Sequence, residues 1–341
     1  MKMNYPIHPS SQSYEAKTRN FRDGVQRLMS AAGVQTDRLK TVLDLGCRFG
    51  DSTLGILRAT PSSTQVIAVE EFIEATALAK WKFNTPPTRI FDAERGLIPG
   101  LLKSLPEGWV DFFRQEASSV WGREYFAFWP IKELGNLAID EVDLVVAFQT
   151  LHWLDAGPDG LPDVGIIRSI RDMVLPGGLF VGGTSTAFFD FGKADVIEGM
   201  PRSVWSIHEH PFMKIVFEEV ARLMAVEIGK APEPVSAKPS LSAEGLKKLF
   251  ESNGFGNLQF GHFLIKYSLD VLTTETARNV PLHQGRLNGV SDFVKARIID
   301  CALGLANAKC DRLVGDGAQD PRLVADRNVY EAVPWLRATA V

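Results

Sequence analysis

The sequence predicts an α/β protein built on a doubly wound, mostly parallel sheet. Short apolar segments alternate with segments in which apolar residues recur at helical spacing. Strands that are apolar along their whole length are typical of parallel sheets, which helices cover on both faces. With 45% apolar and 23% charged residues over 341 positions, the chain is long enough for one large core that carries additional segments.

The first half of the chain carries this alternation. Residues 14–32 have apolar residues at helical spacing and end at Gly33. Strands are then predicted at Thr41–Leu45, 65–69, 109–113, Val142–Ala147 and 179–182, the last of them after a Pro176-Gly177-Gly178 turn. Helices are predicted between them at 53–59, with Asp51 and Ser52 as candidate caps, at 73–83 and at 166–174.

The second half departs from the alternation. Residues 187–238 are rich in aromatic residues and end in a proline-containing, loop-like stretch. Regular elements then return: a helix capped by Ser240 or Ser242, a strand at 257–267, a helix at 291–306 and a last strand at 330–339. We therefore expect a core with an N-terminal helix at 1–186, a cap that contacts substrate at 187–238, and a segment at 239–341 that completes the sheet and adds helices.

Composition argues against several classes of protein. With 37 basic and 41 acidic side chains, the net charge of −4 provides no general attraction for nucleic acid or anionic lipid. The three cysteines are too scattered for a disulfide framework, and His208 and His210 have no further ligands nearby that would suggest zinc. The first residues are polar, and no apolar run approaches the length of a membrane span. We expect a cytoplasmic protein without a metal, a monomer or homodimer, whose partner is a small molecule.

The strongest local signal is the segment from Asp44 to Gly50, followed by Glu70 at the end of the next predicted strand. Glycines after a buried strand let a ligand approach the backbone, and an acidic residue about 20 positions later is placed to accept hydrogen bonds from a ribose diol. The dinucleotide fingerprint fails, because Arg48 and Asp51 stand where its later glycines are required. A nucleoside without phosphates therefore fits better than a dinucleotide.

Asp44-Leu45-Gly46-Cys47-x-x-Gly50, Glu70 and Pro176-Gly177-Gly178 together resemble the motifs of class I S-adenosylmethionine-dependent methyltransferases. The resemblance covers residues 10–186 well and implies a seven-stranded Rossmann-like sheet with a helical cap after strand five. It also implies S-adenosyl-L-methionine as cofactor and S-adenosyl-L-homocysteine as product. The cofactor contacts that we assign on this basis are Asp44, Gly46, Cys47, Arg48, Gly50, Glu70, Glu116, Ala117, Ser118, Phe148 and Gln149.

Two of these assignments, Glu116-Ala117 and Arg48, compare differently with the family. Glu116-Ala117 resembles the acidic residue and alanine that contact adenine after the third strand of the family. Arg48 departs from the family, because many members have a glycine at this position. Its guanidinium would either crowd the methionine end of the cofactor or pair with the methionine carboxylate.

The run from Val142 to Asp155 is similar to the trans-aconitate type of small-acid methyltransferase. Its Leu-His-Trp-Leu portion, together with Ser13-Tyr14, also resembles the plant SABATH and insect juvenile-hormone-acid carboxyl methyltransferases. This similarity implies that His152, Trp153 and Tyr14 lie at the reaction centre. We assign Gln12, Trp205, His208 and Phe212 to the substrate.

Alternative interpretations stay open at this stage. His152 is either a core histidine bonded to the backbone or a group that faces the acceptor, and Trp153 is either a core aromatic or a pocket wall. Gln149 and the aromatic residues after strand five have structural alternatives too, and Cys47 is better explained as a small packing residue than as a nucleophile. The leading hypothesis is methylation of a carboxylate, then of a hydroxyl, in secondary metabolism. N- or C-methylation and a non-methylating cyclase that keeps the cofactor site are the alternatives.

Overall fold

Seven strands form one mixed sheet in the described part of the chain, with the order β3-β2-β1-β4-β5-β9-β8. Strands β1 to β5 are parallel to one another, whereas β9 runs antiparallel to β5. The strands are β1 (Thr41–Leu45), β2 (Gln65–Glu70), β3 (Glu124–Phe128), β4 (Val142–Ala147), β5 (Val174–Gly183), β8 (Phe255–Ser268) and β9 (Asn328–Ala340). A separate two-stranded sheet consists of β6 (Val196–Ile197) and β7 (Met200–Pro201). The predicted fold class, with helices on both faces of the sheet, is confirmed.

The structure is a computed structural model that describes residues 11–103, 108–139, 141–154, 161–185, 189–191, 196–205, 211–229, 241–268, 292–316 and 328–341. Its α-helices are α1 (Ser11–Ala31), α2 (Asp51–Ala59), α3 (Ile73–Lys82), α4 (Asp92–Lys103), α5 (Trp109–Ala117), α6 (Val164–Met173), α7 (Arg202–Trp205), α8 (Pro211–Ile228), α9 (Ala243–Glu251) and α10 (Asp292–Gly315). Short 3-10 helices lie at Thr36–Arg38, Pro87–Arg89, Ile131–Asn136 and Leu151–Trp153. Within these ranges no helix is long and apolar enough to cross a membrane.

Helices α6 and α9 cover one face of the sheet through a continuous apolar core. This core contains Leu43 and Leu45 of β1, Ile167 and Ile170 of α6, and Phe250 of α9, all almost completely buried. Burial of this kind stabilises the fold by about 25 cal/mol for each Å² of apolar surface removed from water.

Helix α1 packs against α2 at a glycine. A Cβ atom on Gly55 would lie 2.2 Å from Val25 Cγ1 and 2.5 Å from the Arg22 carbonyl oxygen, so only glycine permits the approach. The contact fixes the position of α2, whose first residue follows the Asp44–Gly50 segment directly.

The predicted strand at 109–113 is wrong, because these residues begin helix α5. Trp109, Phe113 and Ala117 are buried at a spacing of four residues, which places them on one helical face. An apolar run of five residues fits a strand or a helix equally well, and only its continuation to Ala117 distinguishes them. The third strand is instead Glu124–Phe128, an edge strand beside β2.

Two smaller expectations also need correction. Asp51 and Ser52 do not cap α2: the N-cap is Gly50, with φ of +83°, and no side chain bonds there. The Pro176-Gly177-Gly178 turn does not precede the fifth strand but interrupts it, because β4 pairs with Val174 before the interruption and resumes at Leu179 after it.

The chain divides into two compact units. The first comprises Tyr14–Gly192, Pro239–Phe263 and Val333–Val341, and it contains strands β1 to β5, the first part of β8 and the last part of β9. The second comprises Met1–Ser13, Lys193–Lys238 and Leu264–Ala332. Within this second unit α8 and α10 pack side by side, joined by the ion pairs Arg297–Glu227 and Lys309–Glu218.

Candidate functional site

The segment between β1 and α2 is a tight turn held by unusual backbone conformations. Gly46 and Gly50 have φ values of +76° and +83°, and Arg48 between them has +49°. A Cβ on Gly46 would lie 2.6 Å from Thr150 Cγ2, so the glycine brings the turn against the residues that follow β4. The amides of Gly46 and Cys47 both donate to the Val69 carbonyl oxygen, at 2.9 and 3.2 Å. The backbone of the turn is therefore hydrogen-bonded to β2.

Glu70, the last residue of β2, also holds the turn between β1 and α2 through hydrogen bonds. Its Oε2 accepts the Arg48 amide at 2.7 Å, and its Oε1 accepts the amides of Glu71 and Phe72 at 3.0 and 3.2 Å. A carboxylate offers about four acceptor positions, so one position at Oε2 is left for a ligand hydroxyl. Burial raises the pKa of Glu70 to about 7, against the lowering effect of the Arg48 amide and charge.

Asp44 is a buried carboxyl group whose two oxygens differ. Its Oδ2 accepts hydrogen bonds from the hydroxyls of Ser52 at 2.8 Å and Thr53 at 2.7 Å. Its Oδ1 is buried and has no hydrogen-bond partner in the described part of the chain. Desolvation raises the pKa of Asp44 from 3.8 to about 6, since the two hydroxyls compensate only part of the cost of burying the charge. A cation placed at Oδ1 would restore the ionised form.

Cys47 and Arg48 lie in the same turn but differ in environment. Cys47 is buried, and burial raises the pKa of its thiol well above the ordinary value, as do the negative charges of Asp44 and Glu70. The thiol is therefore protonated at neutral pH and is not an activated nucleophile. The Arg48 side chain is exposed, and its pairing with a ligand carboxylate stays a prediction.

The residues after β4 form the neighbouring wall. Phe148 is buried and meets Phe21 of α1 edge to face, with ring centroids 5.6 Å apart. Gln149 has φ of +52°, a left-handed conformation that costs free energy for a residue with a side chain, and its buried Nε2 has no partner among the described residues. Gln149 Nε2 is thus a buried donor without a described acceptor, whereas Asp44 Oδ1 is a buried acceptor without a described donor.

His152 and Trp153 follow on a 3-10 turn, with their ring centroids 5.1 Å apart. His152 Nδ1 lies 2.8 Å from the Thr184 hydroxyl, just beyond the end of β5. Trp153 is 45% exposed, which argues against the core interpretation for this residue. The His152 residue is half-buried.

The expectation that residues 116–118 follow the third strand is wrong. Glu116 and Ala117 close helix α5, before β3, and Ser118 follows the helix. The Glu116 carboxylate is held by Arg22 of α1 and, at 3.0 Å, by Arg58 of α2. Through these ion pairs the Glu116 carboxylate of α5 links this helix to α1 and α2.

The residues that do lie at the carboxyl end of β3 are Phe128 and Trp129. Phe128 is opposite Glu70 in the strand register and is 40% exposed, and the Trp129 amide donates to the Glu70 carbonyl oxygen at 2.9 Å. The sequence analysis did not find them, because it placed the third strand too early. Two aromatic residues directly after an apolar stretch were the available signal.

The remaining candidates are the predicted substrate contacts and Tyr14. Trp205 and Phe212 belong to the second compact unit, where both side chains are buried and Trp205 Nε1 donates to the Met200 carbonyl oxygen at 3.2 Å. His208 lies outside the described residues. Gln12 and Tyr14 lie on α1, and their side chains are likewise outside the described part. No cluster of three or more potential metal ligands occurs in the described ranges.

Together these groups suit a ligand with hydroxyls, a positive charge and a hydrogen-bond acceptor. Glu70 offers an acceptor position for a hydroxyl, Asp44 an unsatisfied acceptor for a cation, and Gln149 an unsatisfied donor. The turn at Gly46 leaves no side chain between the ligand and the backbone.

No protein-family model matches the sequence, and no curated protein matches it. Similar solved structures include a cyclopropane-fatty-acyl-phospholipid synthase-like protein from Lactobacillus casei, at 14% identity, covering 94% of this chain and 91% of that chain with a TM-score of 0.47. The phosphoethanolamine N-methyltransferase 2 of Haemonchus contortus, in complex with S-adenosyl-L-methionine, has 11% identity, 93% and 52% coverage and a TM-score of 0.43. The 4+2 cyclase SpnF has 16% identity, 99% coverage of both chains and a TM-score of 0.43. At such identities and TM-scores these likenesses carry no argument about the function of this chain.

Proposed function

We propose that the chain is an S-adenosyl-L-methionine-dependent methyltransferase that acts on an oxygen of a small-molecule acceptor. The observation that carries the proposal is the pair of buried, unpartnered polar atoms, Asp44 Oδ1 and Gln149 Nε2, beside the contact between Gly46 and Thr150. Unsatisfied buried polar atoms are rare in folded proteins because each costs free energy, so two of opposite kind near the carboxyl ends of the neighbouring strands β1 and β4 support a zwitterionic ligand.

The residues present fit this cofactor at each of its parts. Glu70 Oε2 would accept a ribose hydroxyl, Asp44 would hold the methionine ammonium, and Gln149 would donate to the methionine carboxylate. Arg48, exposed at the same turn, would add a second donor to that carboxylate. Phe128, the last residue of β3, and Trp129 directly after it lie next to Glu70, where they would flank the nucleobase.

When bound, the cofactor supplies an electrophilic methyl group. The chain has to align the acceptor with that methyl group and to exclude water. His152 and Trp153 on the 3-10 turn are the residues to which we assign this task. The similarity of this turn to small-acid carboxyl methyltransferases supports an oxygen acceptor, and we propose that residues 187–238 help to select it.

A carboxylate and a hydroxyl acceptor make different demands on the protein. A carboxylate is ionised at neutral pH, since its pKa is about 4, and needs no base. A hydroxyl must lose its proton during transfer, and His152 would have to accept it.

Calorimetric titration with S-adenosyl-L-methionine tests the cofactor assignment. Asp44→Asn keeps the size of the side chain and removes its charge, and we expect the affinity to fall by at least about tenfold, the loss of one charge-assisted hydrogen bond. Asp143→Asn is the matched control, because Asp143 accepts the amides of Lys40 and Thr41 at the start of β1, away from the candidate site. Equal affinity in the wild type and Asp44→Asn would overturn the assignment.

Product analysis then tests the reaction. Incubation with candidate acids and alcohols should yield S-adenosyl-L-homocysteine and a product heavier by one methyl group. Cofactor binding with a rearranged product of unchanged mass would support the cyclase alternative. A methyl group on nitrogen or carbon would contradict the oxygen acceptor.

A further inference from the structure

A cavity of about 340 Å³ is lined by residues of the neighbouring strands β8 and β9. A volume of this size accommodates a small metabolite. The lining contains no acidic residue and consists of Asn257, Leu258, Gln259, Arg337 and Thr339. The cavity therefore combines one positive charge with amide and hydroxyl groups that can donate hydrogen bonds.

Arg337 has N–H groups without a partner in the described part of the chain. Its Nη1 donates to the Ala32 carbonyl oxygen, directly after α1, at 2.9 Å. Its Nε is buried and has no hydrogen-bond partner, and no carboxylate of the described residues forms an ion pair with the guanidinium. The edge formed by Nε and Nη2 is thus unused. A buried donor of a charged group costs free energy when it is unpaired, so this edge calls for an acceptor from outside the chain.

Trp335 carries a second buried donor on the same face of β9. It lies two positions before Arg337, so the two side chains point to the same side of the strand. Trp335 Nε1 is buried and has no hydrogen-bond partner among the described residues. The indole packs on Gly261 of β8, where an added Cβ would lie 2.5 Å from Trp335 Cζ2. This face of β9 therefore has two buried N–H donors that the described residues do not satisfy.

The cavity is separate from the groups assigned to the cofactor. In the order of the sheet, β4 and β5 lie between β1, which leads into the glycine turn, and β9. Three strand spacings of about 4.8 Å place β9 about 14 Å from β1. Thr339 pairs with Leu179, four residues before β5 ends at Gly183, whereas the cofactor groups lie at the carboxyl ends of the strands.

We propose that this cavity binds an anionic group, the carboxylate or phosphate of a small metabolite, with Arg337 as its main contact. Nε–H and Nη2–H would donate to two oxygens of the ligand, the geometry in which guanidinium groups bind carboxylates and phosphates. Gln259 of β8 and Thr339 of β9 would donate from the two strands. The inference goes beyond the proposed function, because it assigns a second binding site away from the cofactor.

Calorimetric titration of the full-length protein with inorganic phosphate and, separately, with citrate tests the site. The ionic strength is kept constant with chloride, so that general screening does not contribute to the difference. We expect at least one of the two anions to bind with one anion for each chain. Tighter binding of phosphate or of citrate distinguishes a phosphate ligand from a carboxylate ligand. Binding of neither anion would overturn the proposal.

Gln259→Glu places a negative charge in the cavity without changing the bond between Arg337 and Ala32. We expect the affinity for the anion to fall by about tenfold or more, the loss of one charge-assisted hydrogen bond. Gln65→Glu is the matched control, because it makes the same change at an exposed glutamine of β2, which β1, β4, β5 and β9 separate from β8. Equal affinities in the two variants would overturn the proposal.

Arg337→Lys keeps the positive charge but removes the edge with two donors. We expect its affinity for the anion to fall by about tenfold as well. An unchanged affinity would contradict the assignment of Arg337. If this variant unfolds because the bond to Ala32 is lost, the comparison of Gln259→Glu with Gln65→Glu still decides the outcome.

Titration of S-adenosyl-L-methionine into protein saturated with the anion separates this site from the cofactor site. The affinity for S-adenosyl-L-methionine should be the same with and without the anion. Competition between the two would place the anion in the cofactor site and would overturn the proposal. Wild-type protein that binds the anion but not S-adenosyl-L-methionine would overturn the proposed function and leave the anion site supported.

Discussion

The turn after β1 and the turn after β4 form the two halves of the site, and they are held in different ways. The first is fixed by backbone: the amides of Gly46 and Cys47 bond to Val69, and that of Arg48 bonds to Glu70. The second is joined to the end of β5 by a backbone bond from the Thr150 amide to Gly183 and by a side-chain bond between His152 and Thr184. A half built from backbone amides requires glycines and an acid at fixed positions, whereas a half built from side chains can change its residues with its ligand. We therefore expect the first half to serve the cofactor and the second to serve the acceptor.

The largest effect is expected where the two halves touch, at Gly46. Gly46→Ala would force a Cβ within 2.6 Å of Thr150 Cγ2 in a left-handed conformation, which should destabilise the fold by about 2–5 kcal/mol. Gly108→Ala is the matched control: its φ is +82°, but nothing lies within 4 Å of the added Cβ, so only the conformational cost of about 1–2 kcal/mol remains. Urea unfolding measures both. Equal losses would show that the two turns are not in tight contact.

The next effect concerns the buried acids of the first half. The pKa of Asp44 is raised to about 6 and that of Glu70 to about 7, so the folded state binds protons that the unfolded state has released between about pH 4 and 7. The stability of the free protein should therefore fall as pH rises through this window and level off above it. For Asp44, the rise in pKa from 3.8 to about 6 corresponds to about 3 kcal/mol.

Asp44→Asn isolates this contribution. The variant lacks the titration of Asp44, so its unfolding free energy should fall less than that of the wild type between about pH 4 and 8, by up to about 3 kcal/mol. Unfolding in urea at several pH values provides the comparison. Parallel pH profiles of the two proteins would show that Asp44 is ionised in the free state.

A smaller effect on cofactor affinity is expected at Trp129, directly after β3, and none at Glu116 of α5. Trp129→Ala should reduce the affinity for S-adenosyl-L-methionine by about 1–2 kcal/mol, the contribution of stacking between an aromatic side chain and a base. Glu116→Gln should leave the affinity unchanged, because the carboxylate is occupied by Arg22 and Arg58. Trp121→Ala, at an exposed tryptophan before β3, is the control. The reverse pattern would restore the adenine role of Glu116.

The difference between the turn after β1, held by backbone amides, and the turn after β4, held partly by side chains, also explains what the sequence could predict. A glycine-containing turn after an apolar strand, with an acid about 20 positions later, is a recognisable spacing, so the turn from Asp44 to Gly50 and the acid at the end of the next strand could be predicted from the sequence. The fold class and most strands were predicted for a similar reason, because strands such as Val142–Ala147 are apolar throughout.

The errors have physical causes as well. The run at Trp109 to Phe113 is apolar and short, so it does not distinguish a helix from a strand, and the true third strand has an exposed Tyr125 at the sheet edge. The bond between His152 and Thr184 joins residues 32 positions apart, at the ends of two separate strands. No local pattern predicts it, because it depends on how β4 and β5 pair.

We propose that the two buried acids, Asp44 and Glu70, receive the cofactor in their ionised form. Calorimetric titration of S-adenosyl-L-methionine at about pH 6, in buffers with different heats of ionisation, counts the protons exchanged on binding. We predict the release of between about one and two protons for each cofactor bound, and of about one proton in Asp44→Asn, because binding favours the charged form of groups whose pKa values are about 6 and 7. Binding without proton release, or with proton uptake, would contradict the claim.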